Sequence, residues 1–407
     1  MTTRRHLLNV ALCAAGAAGA ATFTPWPRLA VAAPAAGPGG PRLVFIILRG
    51  GLDGLTSVPA VGDPAFAEAR GVLGQFTAPV LPLQGPFALN PLLPELHAMY
   101  GRGELAVLHA VGLPYRERSH FDAQQVLESG GTRPHELATG WLGRALQGGG
   151  SLALKAVALQ TAVPLVLRGP TEVDTWAPSV LPEPAADLVS RLELMYRSDP
   201  ALSQALLRAR GLREDPAMAA NPAGMNGSSG GGGGAGRATA LGLARKAAEF
   251  LQRGSQVAVL EMGGWDSHAN QAAPNGATSA NLRTLDAALA ALREGLQAGG
   301  TWQRSVVVVA TEFGRQVSVN GTQGTDHGSG GAAFVLGGAV RGGRVLADWP
   351  GLAAKDRFEG RDLRITTDLR QALRPILIDH LGLARSFVDT AVLPGSAGLA
   401  GLDLLRG

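Results

Sequence analysis

Three short stretches of this 407-residue chain hold the residue types most suited to chemistry. Glu261-Met262-Gly263-Gly264-Trp265-Asp266-Ser267-His268 places two carboxylates and an imidazole within eight residues. Thr311-Glu312-Phe313-Gly314-Arg315 adds a carboxylate at a strand end, and Thr325-Asp326-His327-Gly328 adds an acid–imidazole pair. A fourth stretch, Arg49-Gly50-Gly51-Leu52-Asp53-Gly54, puts Asp53 in a glycine turn. Carboxylates and imidazoles without thiolates are donors for Zn²⁺, Mn²⁺, Mg²⁺ or Ca²⁺, with zinc the first choice where histidine takes part. The one cysteine, Cys13, excludes a disulfide framework, a thiolate zinc site and an iron–sulfur cluster. Asp and Ser beside glycine also cap helices and close turns. For Asp53 both roles stay open, whereas Glu261, Asp266 and His268 together with Asp326 and His327 read as one site. His97, His109, His135 and His380 have no neighbouring ligands and read as structural.

A fifth stretch, Tyr115-Arg116-Glu117-Arg118-Ser119-His120-Phe121-Asp122, lies ahead of a helical pattern. Ser119 is placed to cap that helix. A hydroxyl there also meets the positive end of the helix dipole, and beside a divalent metal it would be a nucleophile. Ser119, Arg118 and His120 are therefore the candidate catalytic residues. Arg116 and Arg118 are suited to holding the oxygens of a small anionic substrate.

These stretches sit next to apolar runs of strand length: Arg42–Leu48, Leu105–Leu108, Val257–Leu260, Val306–Ala310 and Ala333–Leu336. Such runs mark strands buried on both faces. Helical patterns at Asn281–Gln297 and Arg237–Leu251 alternate with them. The expected fold class is α/β, a mostly parallel sheet with helices on both faces, and ligands bind where such strands end. Residues 183–253 read as a helical, cap-like insertion whose Gly-rich segment 226–236 forms a flexible loop. Residues 34–407 then form one domain.

Residues 1–33 read as an export signal. Thr3-Arg4-Arg5-His6-Leu7-Leu8 carries the paired arginines of a twin-arginine signal, Val10 to Ala21 is a small apolar run, and Ala30-Val31-Ala32 offers a cleavage site. The run is too short to span a bilayer, so no stable membrane span is expected in the mature chain, which would be periplasmic or secreted. The export machinery is the expected partner. A formal net charge of +4 with scattered arginines excludes nucleic acid. Charged residues at 17% and hydrophobic residues at 46% exclude a disordered or fibrous chain.

The phrases Leu-Arg-Gly-Gly-Leu-Asp-Gly-Leu, Arg-Ser-His-Phe-Asp-Ala-Gln, Gly-Gly-Trp-Asp-Ser-His, Thr-Glu-Phe-Gly-Arg and Gly-Thr-Asp-His-Gly, spread over residues 42–345, resemble an exported bacterial family, the domain of unknown function 1501. Their order also resembles the alkaline phosphatase and sulfatase superfamily. That resemblance implies an alkaline-phosphatase-like fold and a two-metal site. Asp53 would bind one metal beside the nucleophile Ser119, and Asp266 and His268 would bind the other. Glu261 would be a further metal carboxylate, and either Glu312 or Asp326 would accompany His327. The implied function is a metal-dependent hydrolase of phosphate or sulfate esters. The alternative is a metal-binding component of the cell envelope that keeps the fold without turnover.

Overall fold

The computed structural model describes residues 39–148, 154–178, 186–214 and 234–407. The signal-like segment, Cys13 and most of the Gly-rich segment lie outside them. A nine-stranded sheet organises the chain. Its strands are β1 (Arg42–Leu48), β2 (Leu105–Gly112), β3 (Ala156–Ala158), β4 (Asp174–Thr175), β5 (Val257–Met262), β6 (Ser305–Thr311), β7 (Gly331–Leu336), β8 (Arg344–Leu346) and β9 (Thr367–Asp368). The order is β8-β2-β7-β6-β1-β5-β3-β4, with β9 paired to β2. The helices that matter for the site are α1 (Gly54–Ser57), α2 (His120–Ser129), α3 (Gly234–Gln252), α4 (Ala277–Ala298) and α5 (Leu369–Pro375).

Every residue of β1 is buried. Its side chains alternate between two cores. Val44, Ile46 and Leu48 join the cluster under α3 and α4, while Leu43, Phe45 and Ile47 join the cluster under α2 and α5. Each fully buried aliphatic side chain contributes roughly 1.5–3 kcal/mol, so a strand apolar on both faces can only be central. The sheet is mostly parallel with helices on both sides, as the alternation of runs implies. Among the described strands β7 is the exception, running antiparallel to β2 and β6.

The expected insertion is narrower than 183–253. Its second part, α3, begins at Gly234 inside the segment expected to be a loop, and buries Ala244, Ala247, Ala248, Phe250 and Leu251 in the main core. That apolar stripe at helical spacing ties α3 to α4 and to the body of the domain. Helices Ala186–Tyr196 and Pro200–Glu214 pack on each other and leave Leu188, Leu194, Met195, Leu202 and Leu207 exposed. Among the described residues, no helix is long and apolar enough to cross a membrane.

Candidate metal centre

The chemistry-bearing segments meet at one edge of the sheet. Segments 49–53, 113–120, 263–268 and 312–315 leave the carboxyl ends of β1, β2, β5 and β6. Because β7 is reversed, its amino end lies at the same edge, and that end is where Asp326 and His327 enter. An acid–imidazole pair ahead of a strand thus reaches the same place as residues that follow strands. The β6–β7 connection folds back as a ribbon, with Gln316 N donating to Asp326 O and Gly314 N to Ser329 O, each at 2.9 Å. Two glycines make the approach possible. A Cβ on Gly50, whose φ is +118°, would lie 2.5 Å from the Asp266 nitrogen, and one on Gly328 would lie 2.4 Å from the Arg315 carbonyl carbon.

At this edge three imidazoles converge on one carboxylate. Asp266 Oδ1 lies 3.0 Å from His268 Nε2 and 3.2 Å from His327 Nε2, and its Oδ2 lies 3.5 Å from His120 Nε2. The Nε2 atoms of His268 and His327 are 3.0 Å apart. One ligand atom each from His120, Asp266 and His327 falls within 4.8 Å of the other two. The far side of each ring is anchored on oxygen. His120 Nδ1 meets Glu312 Oε1 at 2.9 Å, His268 Nδ1 meets Asp326 Oδ1 at 3.1 Å, and His327 Nδ1 meets the Arg118 carbonyl at 3.0 Å. Oxygens that can only accept face both nitrogens of each ring, and a neutral imidazole has one proton to give; with that proton on Nδ1, Nε2 turns a lone pair toward Asp266. Lone pairs facing a carboxylate need protons or a cation between them. His120 Nε2 is buried without a hydrogen-bond partner. The donor set of His120, Asp266 and His327, each ring steadied by an oxygen and with His268 3.0 Å from the latter two, fits a divalent metal.

The electrostatics agree with that frame. Burial raises the Asp266 pKa, but the Arg315 guanidinium, 2.7 Å from Oδ1, and the neighbouring imidazoles hold it below the ordinary value. The hydrogen bond to Glu312 raises the His120 pKa despite burial. Burial lowers that of His327, aided by the charges of His120 and Arg315. Burial opposes ionisation of Glu312, yet His120, Gln124 and the Gly50 nitrogen keep its carboxylate low and ionised. Phe313 walls the site, with ring centroids 4.8 Å from His120 and 4.9 Å from His327.

The structure distributes the expected site residues into four groups. Asp266, His268 and His327 meet, and His120 joins them as a fourth donor rather than only as a companion of Ser119. Glu312 and Asp326 both reach the site, each behind a histidine, so neither replaces the other. Asp53 and Glu261 stand apart with their oxygens taken. Asp53 caps α1, accepting from Leu55 N and Thr56 N, and binds Arg70 at 2.5 Å, Gln271 at 2.5 Å and the Thr56 hydroxyl at 2.9 Å. Glu261 is held by two hydrogen bonds from Arg49 at 2.6 and 3.1 Å. At both, an arginine holds the carboxylate. Ser119 caps α2, its Oγ 3.5 Å from Asp122 N. The Arg118 guanidinium is committed to Asp362 and Glu359.

Two contributors have weak sequence signals. Arg315 is fully buried against Asp266, and its only mark is its place three residues past Glu312 at a strand end. Gln271 is buried beneath Asp53, three residues beyond His268, with nothing in its type to announce it. The other described histidines lie away from the site. His97, His109 and His380 bond the carbonyls of Pro82, Val58 and Arg42. His135 lies at the surface beside Asp122.

Residues 99–389 match the family described as Protein of unknown function (DUF1501). No curated protein matches the sequence. Among solved structures, the PsFucS1 sulfatase from Pseudoalteromonas sp. is similar at 13% identity, covering 89% of this chain and 71% of that one with a TM-score of 0.40. The phosphonate monoester hydrolase of Agrobacterium radiobacter is similar at 13% identity, covering 84% and 74% with a TM-score of 0.34. The C-terminal periplasmic domain of EcEptC from Escherichia coli, in complex with Zn, is similar at 12% identity, covering 74% of each chain with a TM-score of 0.34.

Proposed function

This chain belongs to the DUF1501 family, and from that premise we propose that it is an exported, divalent-metal-dependent hydrolase of phosphate or sulfate esters. The observation that carries the metal is the convergence of the His120, His268 and His327 Nε2 atoms on Asp266, with His120 Nε2 buried and unpartnered. Three imidazoles with one carboxylate suit zinc better than calcium or magnesium, which prefer all-oxygen sites. The sequence resemblance to phosphatases and sulfatases supports the ester class, and Arg4-Arg5 supports export.

A bound metal would supply Lewis acidity, polarising an ester oxygen and acidifying the group that attacks it. The chain's own residues do the rest. Glu312, Asp326 and the Arg118 carbonyl orient the three rings. Arg315 offsets part of the Asp266 charge and fixes its carboxylate plane. Ser119, one residue before His120 and at the positive end of α2, is the proposed nucleophile. Arg116, whose guanidinium lies 5.4 Å from the Phe358 ring centroid and forms no ion pair among the described residues, takes over from Arg118 as the anion contact.

One observation favours the alternative, a metal-binding envelope protein without turnover: the Ser119 hydroxyl serves as a helix cap and the Arg118 side chain is committed elsewhere. Metal analysis of the purified protein, a screen of phosphate and sulfate esters, and Ser119→Ala separate the two. Catalysis through Ser119 predicts turnover in the wild type that is lost in the variant with metal content retained, the lost cap costing about 1 kcal/mol under either reading. The cap reading predicts bound metal, no turnover in the wild type, and about 1 kcal/mol lost in the variant. Wild-type turnover in the variant removes Ser119 from the mechanism. A metal-free, inactive wild type sinks both readings.

A further inference from the structure

We infer that Arg118 is a positioning residue: segment Phe358–Asp362 clamps its side chain so that its carbonyl oxygen holds the His327 ring toward Asp266. Arg118 has φ +62°, a left-handed conformation that L-residues adopt at a cost and keep only when their surroundings enforce it. Its side chain is enforced from two directions. Nε donates to Asp362 Oδ2 at 2.7 Å and a terminal nitrogen donates to Glu359 Oε2 at 2.5 Å. Asp362 is fully buried and also accepts from the Ser329 hydroxyl at 2.9 Å, which ties the clamp to the start of β7. The Phe358 ring centroid lies 5.9 Å from the guanidinium carbon.

The same segment holds His327 from its main chain, with Arg361 donating to the His327 carbonyl at 2.8 Å. Both neighbours of the His327 ring, its own backbone and the Arg118 carbonyl, are therefore fixed by five consecutive residues. With Nδ1–H committed to Arg118, Nε2 has one direction left, toward Asp266 and His268. An arginine chosen for anion binding would keep its guanidinium free. Here the charge is consumed 241 and 244 residues along the chain, and the group facing the site is the carbonyl.

The inference rests on the metal reading, and Co²⁺ serves as the probe. Arg118→Ala is expected to weaken Co²⁺ binding ten- to a hundredfold, the range for a partner that orients a ligand. Its Co²⁺ absorption spectrum should move toward that of His327→Ala, and Arg118→Lys should recover part of the loss by reaching one carboxylate. Glu359→Ala removes the exposed half of the clamp and should give a smaller change of the same kind, which keeps the question open to test if Arg118→Ala does not fold. Wild-type Co²⁺ affinity and spectrum in the folded variants, with only melting lowered, would overturn the inference. If the wild type takes up no Co²⁺, the metal reading fails by itself. The ¹⁵N shifts of the metal-free His327 ring then decide: loss of the Nδ1–H tautomer in the folded variants supports the clamp, and its retention overturns it.

Discussion

Asp53 and Asp266 each follow a central strand into a glycine turn at the same edge of the sheet, and their surroundings are opposite. The Asp53 side chain is 2% exposed and meets donors on every side: two backbone nitrogens, a hydroxyl, an amide and the fully buried Arg70. The Asp266 side chain is 44% exposed and meets one permanent donor, Arg315, and three imidazole Nε2 atoms, which face it as acceptors when their ring protons sit on Nδ1. A carboxylate satisfied by its own chain is part of the scaffold. A carboxylate that faces acceptors is finished only by something from outside. Residue type and strand-end position are common to both, so the completeness of hydrogen bonding separates ligand from scaffold.

The largest effect expected from this contrast is Asp53→Ala. It leaves the Arg70 guanidinium buried without its carboxylate, which costs about 3–5 kcal/mol. Denaturant unfolding should record that loss while zinc content stays at the wild-type level. Asp266→Ala should show the loss on the zinc side. It should abolish zinc uptake, so the zinc-dependent rise in melting temperature vanishes, and the metal-free protein should lose less than the Asp53 variant, because the buried Arg315 gives up its carboxylate but keeps the Thr325 and Gly50 oxygens. Lost zinc with retained stability in the Asp53 variant would exchange the two roles.

The same contrast bounds what the chain shows on paper. The runs of β1, β5, β6 and β7 are legible because burial on both faces demands continuous apolar sequence. The reversal of β7 is not, since a run carries no direction, and that reversal is what brings His327 beside His268. Asp266, His268 and His327 are legible as a group because glycine, carboxylate and imidazole crowd the strand ends. Asp53 and Glu261 look identical to them in sequence. Their partners, Arg70 and Arg49, lie 17 and 212 residues away, and only the tertiary fold reveals that arginine holds them. His120 is legible as chemistry, but its place among the donors depends on Glu312, 192 residues away.

The two carboxylate regions should also separate by pH. The pKa of Asp53 is lowered: burial opposes ionisation, and Arg70, Gln271 and Thr56 outweigh it. Its stabilisation is therefore present above the unfolded value of about 3.9 and is lost as pH falls through the folded one. In the metal-free protein the raised pKa of His120 acts with the opposite sign. Its contribution is present below the unfolded value of about 6.5 and fades as pH rises through the folded one, while His327, lowered by burial, opposes it. Zinc competes with protons for the same nitrogens. The zinc-induced melting shift should then grow from about pH 6 to about pH 8, where the Asp53 network contributes a constant amount. A shift that stays flat or grows toward acid would remove His120 from the donor set.

The smallest effect is expected where the two regions touch. Thr325 is fully buried, donates its hydroxyl to Gln271 Oε1 at 2.7 Å and accepts from Arg315 Nε at 3.2 Å. Gln271 reaches Asp53 and Arg315 reaches Asp266, so this hydroxyl is a link in a chain of hydrogen bonds joining the two carboxylates. Thr325→Val keeps the shape and removes the link. Arg315 keeps the Thr325 carbonyl and Asp266, and Gln271 keeps the Ser267 hydroxyl at 3.0 Å. The cost should therefore be about 1 kcal/mol for one buried N–H left without its acceptor. Zinc affinity should change by less than about tenfold, the lower bound for a partner that touches a ligand directly. If the scaffold and the centre are independent, the stability losses of Thr325→Val and Asp53→Ala should differ from additivity only by the local contact through Gln271, and zinc affinity should show no coupling in the double variant. A tenfold loss of zinc affinity in Thr325→Val, reproduced in Asp53→Ala, would show instead that the buried network tunes the centre through Arg315.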